Sequence, residues 1–505
     1  MRDDGVSYSY SASAGPLPGG ARPAEGDGFP VLSDTEHVHR VVVSGADVTG
    51  VDTGFSFSAI TNTLDDPSGS AFASPASWTS FDADSAGIGV NPEGYEQAVY
   101  DGRYVYFTPD QRTGGRHGEV LRLDTEGAYT SPASWESFDA GDSGVGSDPD
   151  GYAGAAFDGR YVYFSPDHNG AGRHGEVLRY DTEAPFGAAG SWSAYDPGAN
   201  GVGTDPDGYR GAEFDGRYVY FAPDHNGTAR HGEVLRLDTQ ATFASTGAWE
   251  TFDPGANGVG TDPDGYSDVL FDGRHLYFSP LDNGSGAHGE VLRYDVRAPF
   301  AAGSSWTAYD PGADGVGTDP DGFSSLASDG RYVYFAPSDA EAGPSGEVMR
   351  LDTTAPFASA SSWATFDPGT AGLGAGAVGF GAAEADDRYL YLLQDRDGGG
   401  PAGRVVRFDT RAAFASVGSW EMFDPAGAGV GGDPEGARGA AFDGRHLYVP
   451  HFNNGTDFSS EVLRLDTART GQGSLRRFLT NADAITGTQS SVFSIPVTDP
   501  GWSAS

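Results

Sequence analysis

The sequence predicts an all-β fold: a seven-bladed β-propeller of 57-residue four-stranded repeats, with flanking N- and C-terminal β segments. Three observations carry this. A turn triplet opens at Asp101 and recurs at Asp158, Asp215, Asp272, Asp329, Asp386 and Asp443, always 57 residues on. Tryptophan keeps the same interval at Trp78, Trp135, Trp192, Trp249, Trp306, Trp363 and Trp420, with only Trp502 outside the series. Each interval holds four short β-rich runs separated by turn residues, which is one antiparallel blade that must stack on its neighbours to bury its apolar faces.

The third interval shows the elements in order. WSAYDP, from Trp192 to Pro197, is a short aromatic strand stopped by Pro and Gly. The Gly/Asp-rich loop Gly198 to Gly208 leads to the small, mixed strand Tyr209 to Phe214. Asp215-Gly216 then makes a tight hairpin turn. RYVYFAP follows with aromatics on both faces, the pattern of a strand covered on both sides. The loop Asp224 to Gly232 precedes the strand Glu233 to Thr239, and a second loop returns to Trp249.

This order (small strand, Asp-Gly, aromatic strand, loop, Glu-Val-x-Arg-x-Asp, loop, Trp) resembles the kelch-type propeller repeat over roughly residues 76 to 467. It departs from that family where kelch has a Gly-Gly pair after the second strand and this chain has Ser/Ala-Pro-Asp. The resemblance implies a binding platform more often than an enzyme. Fold by itself assigns no function.

Closure follows from phase. The Trp78 strand precedes any complete unit and the last full strand begins at Glu461, so the first strand becomes the outermost strand of the final blade. A rival count makes Ser474 to Leu479 a degenerate Trp-type strand and builds an eighth blade from segments near the N-terminus. The reading adopted is an N-terminal extension over 1–70, a propeller over 71–467 and a C-terminal extension over 468–505. Within the extensions His39 to Ser44, Phe55 to Ile60 and Ser490 to Val497 read as strands that can pair and anchor the disc to a protein assembly.

The formal net charge is −42, from 72 acidic residues against 30 arginines and no lysine. Coulomb repulsion sets this chain against nucleic acid and anionic membranes. The acidity suits a halophile, because molar salt shortens the Debye length to about 3 Å. A GC-rich genome also depletes lysine and isoleucine but leaves the acidic excess unexplained. Cysteine is absent, which removes disulfides, thiolate metal sites and cysteine nucleophiles. No run reaches the ~18 apolar residues of a membrane span, and the N-terminus lacks the apolar core of a secretory signal. The expectation is no membrane insertion, and a virion or other extracellular location reached without a Sec signal; a halophile's cytoplasm is the alternative.

Chemistry is expected on the face that gathers the fourth-to-first and second-to-third loops, since rigid scaffolds carry binding residues on loops. Asp-Pro-Asp-Gly pairs Asp148 with Asp150, Asp205 with Asp207, Asp262 with Asp264 and Asp319 with Asp321. With Asn200 or Asn257 upstream these are candidate Ca²⁺ ligands, although the motif also makes a good turn unaided. His168, Arg173 and His174, with His225, Arg230 and His231 one unit later, are candidate ligand-binding residues for sugar hydroxyls or a protein. The plainer role for each histidine is to cap its own loop. The tryptophans read as inter-blade packing, and the Asp-Gly-Arg arginines as partners for carboxylates between blades. The sixth unit lacks the acidic loop.

No Ser/His/Asp nucleophile motif and no sialidase Asp-box occurs. Three functions follow in order: a virion or cell-surface subunit recognising host glycan or glycoprotein, an intracellular kelch-like scaffold, and a carbohydrate-active enzyme.

Overall fold

A computed structural model describes residues 71–340 and 343–467, together with short strands at 31–33, 38–42 and 492–496. It is a ring of seven four-stranded antiparallel sheets. Blade 1 comprises Tyr95–Tyr100, Tyr104–Pro109, Glu119–Asp124 and Trp135–Asp139. Blades 2 to 6 repeat it, from Tyr152–Phe157 through to Trp420–Phe423. Blade 7 takes Ala441–Phe442, His446–Pro450 and Glu461–Asp466 from the end of the repeat region. Its outer strand is Trp78–Asp82 from the beginning, in the register Trp78↔Leu465 to Asp82↔Glu461. The ring is thus sealed by its two ends and has no eighth blade among the described residues. Val38–Val42 pairs with Val31–Ser33 and with Val492–Pro496 in a separate small sheet. The segment Phe55 to Ile60 lies outside the described residues. No helix among those described is long and apolar enough to cross a membrane.

The core lies between blades. Trp192 stacks on Phe138 of the preceding blade with ring centroids 5.4 Å apart, and its indole N–H donates to the Phe186 carbonyl at 2.8 Å. All seven ring tryptophans make that bond to the residue six places back, which satisfies the one polar atom each buries. Arginine is sandwiched in the same layer. Arg122 lies 4.2 Å from the ring of Tyr104 in its own blade and 4.2 Å from Phe186 of the next, and Arg179, Arg236, Arg350 and Arg407 are held likewise. A planar guanidinium stacks on two rings where an ammonium cannot.

The Asp-Gly-Arg arginines do not bridge blades. Arg103 pairs with Asp124 at 2.7 Å, and the same within-blade pair recurs as far as Arg445–Asp466. The reason is register: Tyr104 pairs opposite Asp124, so the turn arginine lies beside the end of its own third strand. Asp101 holds the turn by accepting from the Arg103 and Tyr104 amides and from the Tyr106 hydroxyl.

Candidate functional site

On the opposite face six of the seven fourth-to-first loops are organised by a glutamate at the start of the third strand. Glu176 accepts from the amides of Ser147 (2.9 Å) and Asp148 (3.0 Å). Glu233, Glu290, Glu347 and Glu461 repeat this, and Glu119 accepts from Val90. Blade 6 inverts the polarity: Arg404 stands at the glutamate position and Gln394 donates to the carbonyls of Gly376 (2.7 Å) and Val378 (2.8 Å). The acidic residues and their organising glutamate are therefore replaced as a set, which accounts for the sixth loop's divergence.

The loops also latch the blades. The Gly208 amide donates to the carbonyl of His174 in the blade before, and equivalent bonds run around the ring to Gly94→Ser459. Gly208 has φ +69°, and a Cβ there would strike the His225 carbonyl, so the latch requires glycine.

The ligand-binding candidates separate into two environments. His168 and His225 are half-exposed, and each ring Nδ1 accepts from its own loop, from Gly170 (3.0 Å) and Gly227 (2.9 Å). His174 and His231 are buried and pack edge-on against Tyr152 and Tyr209. Burial lowers both below the usual imidazole range, His174 to about 4. Arg173 is ion-paired with Asp167, and Arg230 with the fully buried Asp224.

The first carboxylate of two Asp-Pro-Asp-Gly loops, Asp148 and Asp205, lines a cleft in each. One of about 410 Å³ is bordered by Asp148, Asn169, His174, Glu176, Asp196 and Asn200. The next, of about 390 Å³, is bordered by Asp205, Asn226, His231, Glu233, Asp253 and Asn257. Asn200 and Asn257 donate to the Asp196 and Asp253 carbonyls at 2.7 Å and so close their own turns. Among the described residues no group of three or more His, Asp or Glu side chains is arranged to hold a metal. Asp262, Asp319 and Asp321 occupy the same loop positions in blades 4 and 5.

In three of these pairs the second carboxylate is strained electrostatically. Partial burial, then the neighbours Asp139 and Asp148, push Asp150 up to about 6, and Asp207 and Asp264 rise equally beside their own pairs. A carboxyl raised in the fold stabilises below the unfolded value near 3.9 and loses that contribution as pH climbs through 6. Asp150→Asn is therefore expected to melt with the wild type near pH 4 and above it by pH 7. Parallel melting curves across that range would remove this account.

The positions that differ most between blades were not singled out from the sequence. The second residue of the inner strand is Glu96, Ala153, Arg210, Ser267, Ser324 and Gly381 in blades 1 to 6, and Arg438 holds the same phase just before the short inner strand of blade 7. Arg438 donates to Glu96 at 2.8 Å and to Asp395 at 3.1 Å, and Arg210 donates to Asp224 at 3.0 Å. Aligning the seven units by phase would have exposed a strand position that holds charge in three blades and none in four.

Neither a protein-family model nor a curated protein matches the chain. Among solved structures it is similar to the WD40 domain of Pan2 from Neurospora crassa, at 10% identity and a TM-score of 0.46, covering 79% of this chain and 97% of that one. A likeness at this level carries no functional argument, and the seven-bladed assignment stands on the strand pairing of this chain.

Proposed function

We propose that the protein is a non-enzymatic binding module that recognises surface glycan or glycoprotein through its loop-bearing face, as a subunit of a virion or cell-surface assembly working in high salt. The observation that carries this reading is a contrast between the faces. One bears short turns with the same Asp–Arg pair seven times, while the other gathers the long Asp, His and Arg loops and the channel charges Glu96, Arg210 and Arg438. Duplication kept the Asp–Arg pair in every blade and let the long loops and channel charges of the other face diverge, as expected where a single ligand meets several blades at once. The kelch-like order of motifs supports a platform rather than a catalyst, and the net charge of −42 supports a saline setting. The paired extensions are the segments proposed to join the assembly.

The test must respect the ion pairs. Replacing Arg173 and Arg230 by alanine would strand the buried Asp167 and leave the buried Asp224 only Arg210, so their loss does not leave the melt unchanged, as exposed loop residues would. His168→Ala with His225→Ala removes only half-exposed caps. Labelled protein is expected to bind halophilic cells saturably, to lose that binding after periodate oxidation of the cell glycans, and to bind at least tenfold more weakly as the double variant. Arg217→Gln on the uniform face should bind as wild type. Binding that survives periodate and disappears with surface proteolysis would favour a protein-interaction scaffold. Binding indifferent to the histidine pair would move the ligand away from these loops.

A further inference from the structure

The loop-bearing end of the central channel holds the densest set of arginines that the architecture does not consume. Arg210 lies on the inner strand of blade 3 and Arg438 just before that of blade 7, while Arg116, Arg173 and Arg230 come from the second-to-third loops of blades 1, 2 and 3. Five carboxylates accompany them: Glu96, Asp110, Asp167, Asp224 and Asp395. The groups share one lumen. Arg210 of blade 3 interacts with Asp224 beside it, and also across the channel with Glu96 of blade 1 and Asp395 of blade 6. Asp224 alone faces Arg210, Arg230 and Arg173.

Every one of these arginines has a carboxylate partner, Arg230 also lying 3.6 Å from Asp282, but their hydrogen-bonding capacity is only partly used. Arg116, Arg173, Arg210 and Arg230 each hydrogen-bond to the protein through one nitrogen. A guanidinium carries five N–H donors, so most of these remain for a ligand or for solvent. The side chains are 21–34% exposed, which is reachable from the mouth yet shielded enough for charge-assisted bonds to keep their strength. Their placement is local to one sector. At the loop-arginine position blades 4 to 7 have Ala287, Pro344, Pro401 and Phe458, and a ligand seated at the mouth therefore meets donors on one side.

We propose that this mouth binds a carboxylate-bearing saccharide of the uronic acid type. The guanidinium forks of Arg116, Arg173 and Arg210 take the carboxylate, and the flanking Asp110, Asp167 and Glu96 accept from ring hydroxyls. The inference rests on the loop-bearing face being the binding face and names the chemistry of its ligand. Two features choose a sugar acid over an acidic peptide. The lining carboxylates would repel a second or third negative charge, whereas hydroxyl donors need acceptors. Guanidinium planes also match one carboxylate bidentately, which a mixture of donors and acceptors then surrounds. Consistent with room for an added anion, Arg116 and Arg173 lie below the usual arginine range, through burial first and then through the charge of neighbouring arginines.

Calorimetric titration of the full chain with sodium D-glucuronate, methyl β-D-glucoside and L-glutamate separates the cases. Glucuronate is expected to bind saturably, with the neutral glucoside and glutamate each at least tenfold weaker. Arg210→Gln should lower glucuronate affinity at least tenfold, and Arg210→Lys should fail to restore it. Arg116→Gln provides a second reading if Arg210→Gln melts early, since Asp110 is then the only carboxylate left without its partner. Absence of saturable glucuronate binding, equal binding of the glucoside or of glutamate, or unchanged affinity in both variants would each overturn the proposal. If cells are still bound in a periodate-sensitive way while glucuronate is not, the face remains the binding face and only the channel assignment fails.

Discussion

Trp78→Ala is expected to cost about 3–5 kcal/mol, the range for truncating a buried large aromatic, and deletion of residues 1–82 to abolish the cooperative melt. Trp78 is 5% exposed, stacks on Phe423 of blade 6 at 5.5 Å, and donates its indole N–H to the Phe72 carbonyl. Phe72 in turn lies against Arg407, so Phe72 and Trp78 fill the interface between blades 6 and 7. Without Trp78–Asp82, Glu461–Asp466 becomes a bare edge in a blade whose inner strand is only Ala441–Phe442. Deletion of residues 1–60 removes none of these contacts and should leave the ring folded, though unable to join its assembly. Circular dichroism melts of the three proteins decide the matter. A 1–82 deletion that melts like the full chain would show that blade 7 closes without its borrowed strand, and a 1–60 deletion that unfolds would place the extension inside the ring.

The closure was legible because phase points to it. A Trp strand with no preceding unit and a final unit with no Trp in phase after it offer each other as partners, and the observed register chooses that pairing over the rival strand read at Ser474 to Leu479. The strands were legible for a similar reason, since the Asp-Gly turn and the doubly buried YVYF run are local signals. The channel was not. Read within one unit, Tyr209 to Phe214 is a small strand with one arginine, and nothing local distinguishes Arg210 from a solvated charge. Only the ring brings it near Glu96 and Asp395, which are 114 and 185 residues away. The histidines failed to declare themselves for the opposite reason. Arg-His-Gly looks like an exposed loop, but the loop turns His174 inward onto Tyr152 while its neighbour Arg173 pairs with Asp167. The turn arginines misled through range, because their partners lie 21 residues on in the same blade and not in the next one.

Lowering NaCl from molar to about 10 mM is expected to lower the melting temperature progressively, with the steepest fall at the dilute end. Of the 30 arginines, six sit in Asp-Gly-Arg turns, one in the equivalent Asp386-Asp387-Arg388 turn and seven at the mid-third-strand position, so nearly half are committed to the architecture and leave most carboxylates uncompensated. The Debye length grows from about 3 Å at 1 M to about 30 Å at 0.01 M, so each carboxylate comes to feel neighbours across a whole blade rather than only those beside it. Asp150, Asp207 and Asp264 already show this repulsion locally: each is raised to about 6 by burial and by flanking aspartates. Repulsion of this origin must fade when the carboxylates are neutralised. The salt dependence measured at pH 7 should accordingly shrink near pH 4.5, where the three raised carboxyls are protonated and the remaining acids begin to follow. Salting-out of apolar surface would behave differently, giving the same slope at both pH values and a larger effect of sulfate than of chloride. A melting temperature independent of NaCl, or a slope that survives acidification unchanged, would detach the acidic composition from salt and remove the halophilic setting from the proposed function.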